Sequence, residues 1–286
     1  MPPLIAYNAA LLREPYSGVE LTIDATARAL AAHGTLDYRI YAPAAGIRPL
    51  PEHARCTLAP DVPAFRSRRA RIWWEQTRLP RLLRRDGATL LHAPAYVAPV
   101  AAPCPVVLTV HDLHVLTHPR FCTAMNRLHY RLLLPFALRR AAAIVVYSEH
   151  VRRIVIARFP RTAGRISVIP PGVPVPCDRL PDSATFEAVR RRHDLPPRYL
   201  LFVGNLTPRK NLTGLLSALS LLRASHGERL PTLVLAGAAA EQGIPVAALA
   251  ERLGVQIAGQ PQAMASSTGR PKPSSCDGKT SASAMA

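Results

Sequence analysis

The stretch YLLFVGNLTPRKNLTGLLSALSLLRA, residues 199–224, decides the fold, because it contains a strand, a tight loop and a helix in succession. The apolar run 199–203 predicts a buried strand, and helical apolar spacing resumes after Asn211, which can cap a helix. In a parallel sheet such a loop lies at the carboxyl end of a strand, where helix N-termini bind anions. The stretch therefore predicts one βα unit of a doubly wound α/β domain.

The same alternation of apolar runs and helical patterns fills the first half of the chain. The predicted strands are LIAYN (4–8), YRIYA (38–42), TLLH (89–92), VVLTV (106–110), AIVVY (143–147) and ISVIP (166–170). Between the first two, a helical pattern ends at Gly34, which we interpret as its C′ residue, and Ser148 is predicted to cap a later helix. This order predicts βαβ units and a parallel sheet.

A proline-rich stretch, residues 168–183, predicts a linker, because proline is disfavoured inside helices and sheets. We expect three parts: an N-terminal Rossmann-like domain 1–177, a partial C-terminal domain 178–258, and a disordered low-complexity tail 259–286. The second domain shows only two strand patterns, 199–203 and 232–237, so Leu215, Leu216 and Leu219 are expected to lack full cover. The change of composition after residue 258 suggests a truncated reading frame.

Charge and cysteine content limit the classes of function. The net charge is +18, but the arginines are scattered along the chain, which favours solvated faces over nucleic-acid binding. The two local clusters, 66–74 and 189–194, are interpreted in the same way, although a basic face also attracts anionic lipid or phosphate. Five widely spaced cysteines form no metal-site pattern and fit a reducing compartment. No signal peptide or membrane-spanning run is predicted.

The loop after the strand 199–203 is the strongest candidate site. Gly204 permits close backbone approach, and Arg209 and Lys210 lie where a diphosphate would be held. Lys210 is also the only lysine before residue 272, in a chain that otherwise uses arginine. A solvated basic turn remains the alternative interpretation.

Two further loops carry candidate residues. Ser17 and Gly18 precede the helix that follows the first strand, so the backbone there can approach a phosphate or a sugar. His111 comes directly after VVLTV, where it could bind a sugar hydroxyl or act as a base. His114 and His118 are rivals for that role, and a structural histidine is the alternative.

Several motifs in order resemble one enzyme family. The segments NAALLREPYSGVE, LLHAPAYVAP, VVLTVHDLHVLTHPRF, LPFALRRAAAIVVYSEHVRR, ISVIPPGV and YLLFVGNLTPRKNL are similar to a group 1 glycosyltransferase of the GT4 type, close to mannosyltransferase-like members. The resemblance extends from residue 4 to about residue 257. It implies a GT-B fold with two Rossmann-like domains, the second incomplete here.

The resemblance also implies roles for the candidate residues. Arg209 and Lys210 would hold the diphosphate of a nucleotide sugar. Gly204 and Asn205 are substrate-binding candidates in the same loop, where some relatives carry an arginine in place of Asn205. Gly18, next to the candidate Ser17, would lie in the loop under the phosphates, and His111 would contact the transferred sugar. The family's pair of donor-binding glutamates is absent, since Glu241 and Glu251 do not have the required spacing.

The expected function is therefore a retaining, metal-independent transferase without a cofactor. It would move a hexose, with mannose a candidate, from a nucleoside-diphosphate sugar to a saccharide or lipid-linked acceptor, with activity impaired by truncation. We expect a cytoplasmic location, with peripheral contact to an anionic inner membrane left open and no nucleic-acid partner. The alternatives are a non-catalytic remnant and, from another class, a basic nucleic-acid or membrane-surface binder.

Overall fold

The chain divides into two units, Met1–Val175 and Pro176–Ala286. The computed structural model of the protein describes residues 2–14, 16–51, 55–172, 182–227, 230–237 and 245–258. Most of the predicted linker and the whole predicted tail, 259–286, lie outside the described residues. Each unit contains its own parallel sheet, so the α/β class and Rossmann-like layering are confirmed.

The first unit is built on a seven-stranded parallel sheet of order β3-β2-β1-β4-β5-β6-β7. Its strands are β1 (Leu4–Asn8), β2 (Asp37–Tyr41), β3 (Cys56–Leu58), β4 (Leu90–Ala93), β5 (Val106–Val110), β6 (Ala141–Val146) and β7 (Ile166–Val168). All six predicted strands are present. The edge strand β3 escaped prediction because its three residues are too short to show a period.

Helices of the first unit follow its strands. They are α1 (Gly18–His33), α2 (Arg68–Thr77), α3 (Leu79–Arg85), α4 (His114–Thr117), α5 (Ala124–Arg140) and α6 (Glu149–Arg158). Successive strand side chains point to opposite faces of a sheet, so Ala6 and Tyr7 of β1 belong to two different apolar clusters. A strand buried on both faces needs the continuous apolar run that LIAYN provides.

The predicted helix caps agree with the structure at Ser148 and differ in backbone conformation at Gly34. The Ser148 side chain accepts a hydrogen bond from the Val151 amide at 3.3 Å and caps α6. Gly34 follows α1 as expected, but its φ of −67° is extended rather than left-handed. Glycine is needed there for space, because a Cβ would collide with the Leu30 carbonyl and the Tyr38 ring.

The second unit has a three-stranded parallel sheet of order β10-β9-β8. Its elements are α7 (Ser183–Arg192), β8 (Tyr199–Val203), α8 (Leu212–His226), β9 (Thr232–Ala236), α9 (Val246–Arg252) and β10 (Ile257–Ala258). The strand β10 adds a third to the two predicted strands. The expectation that Leu216 and Leu219 lack cover is wrong, since both are buried in a cluster with Leu233 and Val246.

Apolar exposure in the second unit lies instead on the edge strand. Leu201 and Val203 of β8 are 56% and 68% exposed, and no strand pairs with the outer edge of β8 among the described residues. The helix α8 covers the inner side of the sheet with its buried leucines, but Leu221 on its outer side is 76% exposed. The apolar periodicity of α8 correctly indicated which face of the helix is buried. It could not indicate what covers β8, because that depends on residues distant in the sequence.

Candidate functional site

The loop after β8 carries a cation held against the end of a strand. Gly204 has a φ of +138°, in the region that favours glycine, so this position restricts the residue type. The Lys210 side chain lies over it, because a Cβ on Gly204 would come within 3.5 Å of the lysine Cε and 3.8 Å of its Nζ. The ammonium group is thereby placed at the carboxyl end of β8.

A second glycine, which the sequence analysis did not identify, supports this loop. Gly204 donates its amide to the Ala236 carbonyl at 2.9 Å, which ties the loop to the end of β9. A Cβ on the next residue, Gly237, would collide with the Gly204 carbonyl. The signal was present in the sequence, because TLVLAG ends its apolar run in a glycine.

The helix that follows this loop begins with an unusual cap. Asn211 has a left-handed φ of 53°, which asparagine tolerates, and its side chain accepts from the Gly214 amide at 3.3 Å. Arg209 and Lys210 are exposed just before the cap, and neither takes part in an ion pair among the described residues. Two cations and a helix N-terminus therefore face solvent together, an arrangement that attracts anions.

The loop after β1 places Ser17 and Gly18 at the start of α1, as predicted. The Ser17 amide donates to the Glu20 carboxylate at 3.1 Å, and the Ser17 hydroxyl also contacts that carboxylate. The bond from the Ser17 amide to Glu20 is one half of a capping box, and it holds the negative charge of Glu20 at the N-terminus of α1. A Cβ on Gly18 would meet nothing within 4 Å, so the backbone there is open to solvent.

A cavity of about 670 Å³ opens beside the loop after β1, in the first unit. Its floor contains a buried polar network that the sequence analysis did not predict. Asn8 at the end of β1 donates to Glu75 at 3.1 Å, and Nη1 of Arg71 donates to both Glu75 oxygens at 2.9 and 2.8 Å. Arg71 lies in the cluster interpreted as solvated, yet its side chain is only 13% exposed.

One wall of the cavity is cationic and aromatic. The Arg68 guanidinium lies over Tyr130 at 5.4 Å, and its Nε is buried with no hydrogen-bond partner among the described residues. Burial, reinforced by Arg68 and Arg71, lowers the pKa of His129 to about 4. Both His129 and Tyr130 belong to α5 and line the cavity. At neutral pH the histidine is therefore an uncharged hydrogen-bonding group.

His111 lies in an aromatic cluster rather than on the cavity wall. Its ring contacts Tyr96 at 5.2 Å and Tyr147 at 4.8 Å, and its Nε2 lies 2.7 Å from the Pro94 carbonyl. A carbonyl can only accept, so Nε2 carries the proton and the Nδ1 lone pair is left to accept a hydrogen bond. Burial lowers the pKa of His111, which favours this neutral form.

Tyr96 connects this cluster to the cavity. It lines the cavity, and its φ of 64° is strained for an aromatic residue, a feature that concentrates at functional sites. Its ring also contacts Tyr130 at 5.4 Å. Burial and the nearby Asp112 raise the pKa of the Tyr96 phenol, which stays protonated.

The described residues contain no group of three or more His, Cys, Asp or Glu side chains that could hold a metal ion. No helix within the described ranges is long and apolar enough to cross a membrane. The charged side chains described at these sites are Arg68, Arg71, Arg209 and Lys210 on one side and Glu20 and Glu75 on the other.

Comparison with known proteins gives one family and several similar structures. Residues 16–175, more than half of the chain, match the model of Glycosyltransferase Family 4. No curated protein matches the chain by sequence. The structure resembles WaaG, a glycosyltransferase involved in lipopolysaccharide biosynthesis, with a TM-score of 0.60 and 17% identity over 88% of this chain and 68% of WaaG.

Two further structures are similar. A glycosyltransferase from Rickettsia africae ESF-5 has a TM-score of 0.53 and 16% identity over 90% of this chain and 68% of that one. The S. aureus MnaA–UDP co-structure has a TM-score of 0.51 and 10% identity over 91% and 69%, respectively. At these identities the likeness shows the fold, and this chain spans about two thirds of each protein.

Proposed function

Because the chain belongs to glycosyltransferase family 4, we propose that it binds a nucleoside-diphosphate sugar and transfers the sugar to a saccharide or lipid-linked acceptor. Its α/β fold with a Rossmann-like sheet matches the GT-B architecture of such enzymes. The sugar we propose is a hexose, and mannose is the one to test first. Retention of anomeric configuration belongs to the same proposal.

The observation that carries the proposal is the placement of Lys210 over Gly204 at the end of β8. Phosphate oxygens binding there would meet the ammonium of Lys210, the guanidinium of Arg209 and the first amides of α8. The diphosphate gains negative charge as the bond to the sugar breaks. Cations already held in place stabilise that charge more in the transition state than in the ground state, which is what accelerates transfer.

We assign the acceptor to the cavity of the first unit. Its volume of about 670 Å³ suits a small saccharide, and it combines apolar walls with a few convergent polar groups. Arg68, whose buried Nε has no hydrogen-bond partner within the described part of the chain, offers donors to hydroxyl groups, and the neutral His129 offers a donor and an acceptor. The Arg71–Glu75 pair holds the floor of the cavity in place.

We propose that His111 positions the transferred sugar. With Nε2 committed to the Pro94 carbonyl, Nδ1 accepts a hydrogen bond from a sugar hydroxyl instead of donating one. The contacts with Tyr96 and Tyr147 fix the ring orientation. Replacement of His111 by Gln should therefore preserve folding and lower transfer.

A first experiment separates transfer from binding. UDP and GDP are titrated into the protein by calorimetry, and turnover is then measured with UDP-glucose and GDP-mannose plus a panel of acceptors. Binding with acceptor-dependent turnover supports the transferase. Binding without any turnover favours the non-catalytic alternative, and binding of neither nucleotide would remove the loop after β8 from the proposed function.

A further inference from the structure

The helices α2 and α3 carry a second cavity, on the surface of the first unit. It is an open groove of about 490 Å³ between these helices and the loop after β3. We call it the Trp73 groove, and its main lining residues are Asp61, Pro63, Trp73, Arg78, Arg81 and Arg85. None of these residues has a role in the proposed transfer, so the groove needs a separate explanation.

The two tryptophans of the chain are consecutive, yet their surroundings differ. Trp74 is 5% exposed, and its ring contacts Phe65 edge-on at 5.6 Å. Trp73 is 60% exposed and lines the groove. Consecutive residues of a helix point roughly 100° apart, so burial of Trp74 directs Trp73 outwards. The indole of Trp73 is therefore free to contact a ligand.

Trp73 is a single exposed ring rather than part of an apolar patch. Of the described residues that line the groove, Trp73 alone is large, apolar and exposed, since Trp74 is buried and Leu82 is partly buried. Another protein would need a wider apolar surface for stable docking. One indole is enough for one sugar ring, because a pyranose has an apolar face of C–H groups and carries its hydroxyls at its edge.

One ion pair in the groove is fixed at its rim. Nη1 of Arg85 donates to Asp61 at 2.7 Å, and its Nε donates to Asp86, which is nearly buried, at 2.8 Å. Asp61 is itself 49% exposed, and a carboxylate can accept several hydrogen bonds. Arg85 therefore holds Asp61 in place, where the carboxylate can accept a bond from a ligand hydroxyl.

Two further arginines of the groove have no carboxylate opposite them. Arg78 and Arg81 are exposed, and none of the ion pairs within the described ranges includes either. The lining contains three arginines and one carboxylate, so its net charge is positive. A guanidinium group binds a carboxylate through two parallel hydrogen bonds. The groove therefore favours a ligand that carries carboxylate groups.

We propose that the Trp73 groove binds an acidic saccharide, one that contains uronic acid residues. Trp73 stacks against the apolar face of a sugar ring, and Arg78 and Arg81 bind carboxylates at the ring edge. Asp61 accepts a hydrogen bond from a hydroxyl of the same saccharide.

The groove is separate from the cavity assigned to the acceptor, although the two are neighbours. Phe65 lines that cavity, and the ring of Trp74, which Phe65 contacts, lines the groove. Saccharide binding in the groove requires neither a nucleotide nor the loop after β8. It goes beyond the proposed transfer and stands without it.

The experiment is a titration of the full chain with oligosaccharides, followed by tryptophan fluorescence and calorimetry. The acidic probes are hyaluronan tetrasaccharide and tetragalacturonate, and the neutral probe is N-acetylchitotetraose. At least one acidic probe should bind and change the fluorescence, and the neutral one should bind about tenfold more weakly or less, because it lacks charged groups for the arginines. In Trp73→Phe only Trp74 fluoresces, so the signal should vanish while calorimetry still detects binding.

Two variants test the ring and the charges separately. Trp73→Ala should weaken binding of the acidic probe about tenfold or more, as expected for an aromatic anchor. Arg78→Gln/Arg81→Gln should weaken it to a similar extent, and its binding should depend less on salt. The matched control is Arg191→Gln/Arg192→Gln, which removes two exposed arginines of α7 and should bind as the wild type does. All these side chains are exposed, so melting temperatures should not change.

Several results would overturn the proposal. They are failure of the wild type to bind either acidic probe, equal binding of the neutral probe, and unchanged affinity in both Trp73→Ala and Arg78→Gln/Arg81→Gln. Tighter binding of UMP than of the acidic probes at Trp73 would assign the groove to a nucleotide instead. Binding of UDP or GDP should be the same in Trp73→Ala as in the wild type, so failure of the proposed transfer and failure of this site are distinguishable.

Discussion

The loops after β1 and β8 have the same plan and opposite electrostatics. Each leaves a parallel strand and enters the N-terminus of a long helix. At α1 the carboxylate of Glu20 accepts from Ser17, so the positive end of the helix is already neutralised. At α8 the uncharged side chain of Asn211 caps the helix by accepting a hydrogen bond from the Gly214 amide. The preceding residue, Lys210, brings a positive charge to the same loop.

The difference shows that topology alone does not identify a phosphate site. Both loops lie where α/β sheets bind ligands, but an incoming diphosphate would meet a like charge at one and two cations at the other. We therefore expect the loop after β8 to be the better anion site and the loop after β1 to suit neutral hydroxyl groups. The predictions below test that contrast.

The largest effect is expected from Arg209→Ala/Lys210→Ala. Hydrogen bonds to charged groups contribute about 1.5 to 3 kcal/mol each, so the affinity for UDP or GDP should fall by roughly a hundredfold or more. Calorimetry measures the loss. The control, Arg191→Ala/Arg192→Ala, removes two exposed arginines of α7 and should leave affinity unchanged. Equal affinity of wild type and Arg209/Lys210 variant would remove these residues from the site.

Acid should destabilise the first unit through His92. Burial lowers the pKa of His92 from 6.5 to about 4, so between these values the unfolded chain binds a proton that the folded chain rejects. Stability is then full above pH 6.5 and falls as the pH drops towards 4, by roughly 3 kcal/mol.

The variant His92→Gln tests that assignment. Its side-chain amide can still bond to Thr109, whose hydroxyl lies 2.9 Å from the His92 Nε2, but it does not titrate. Urea unfolding followed across this pH range should show a shallower fall in the variant. A slope identical to that of the wild type would place the acid sensitivity elsewhere.

Gly204→Ala and Gly237→Ala should disturb the cationic loop through the backbone. Alanine at Gly204 must adopt a strained φ, and alanine at Gly237 must displace the Gly204 carbonyl, so we expect a loss of about 1 to 3 kcal/mol in each case. UDP or GDP affinity should fall as well, because Lys210 lies over Gly204. Gly164→Ala, at a glycine with open space around it, is the control for thermal melting. Normal stability of both variants would contradict the described backbone.

The smallest effect is expected from Glu20→Gln, which removes the charge at the start of α1. Loss of a carboxylate near a helix N-terminus should lower stability by about 0.3 to 1 kcal/mol, measured by thermal melting. Nucleoside-diphosphate affinity should stay the same, since the diphosphate is assigned to the other loop. A clear gain in affinity would show that both loops receive phosphate, and the contrast between them would fail.

The strand and loop order of this protein followed from the sequence alone. Apolar runs such as LIAYN and VVLTV predicted strands that the structure contains, and Ser148 and Asn211 were identified as caps. These features depend on residues a few positions apart, so a local pattern is enough to reveal them. The family resemblance was likewise visible in motifs read in order, and the match over residues 16–175 confirmed it at the level of the family.

Tertiary structure decided which polar groups are buried and what opposes each charge. The sequence predicted that the basic cluster 66–74 is solvated. In the structure Arg71 donates to Glu75, which also accepts from Asn8 of β1 at the floor of a cavity. Lys210 was a candidate from the sequence, but only the structure shows that its side chain lies over Gly204. Burial and charge pairing depend on neighbours that are distant in the sequence. The free energies of these interactions are set by the three-dimensional surroundings, so no local sequence pattern indicates them.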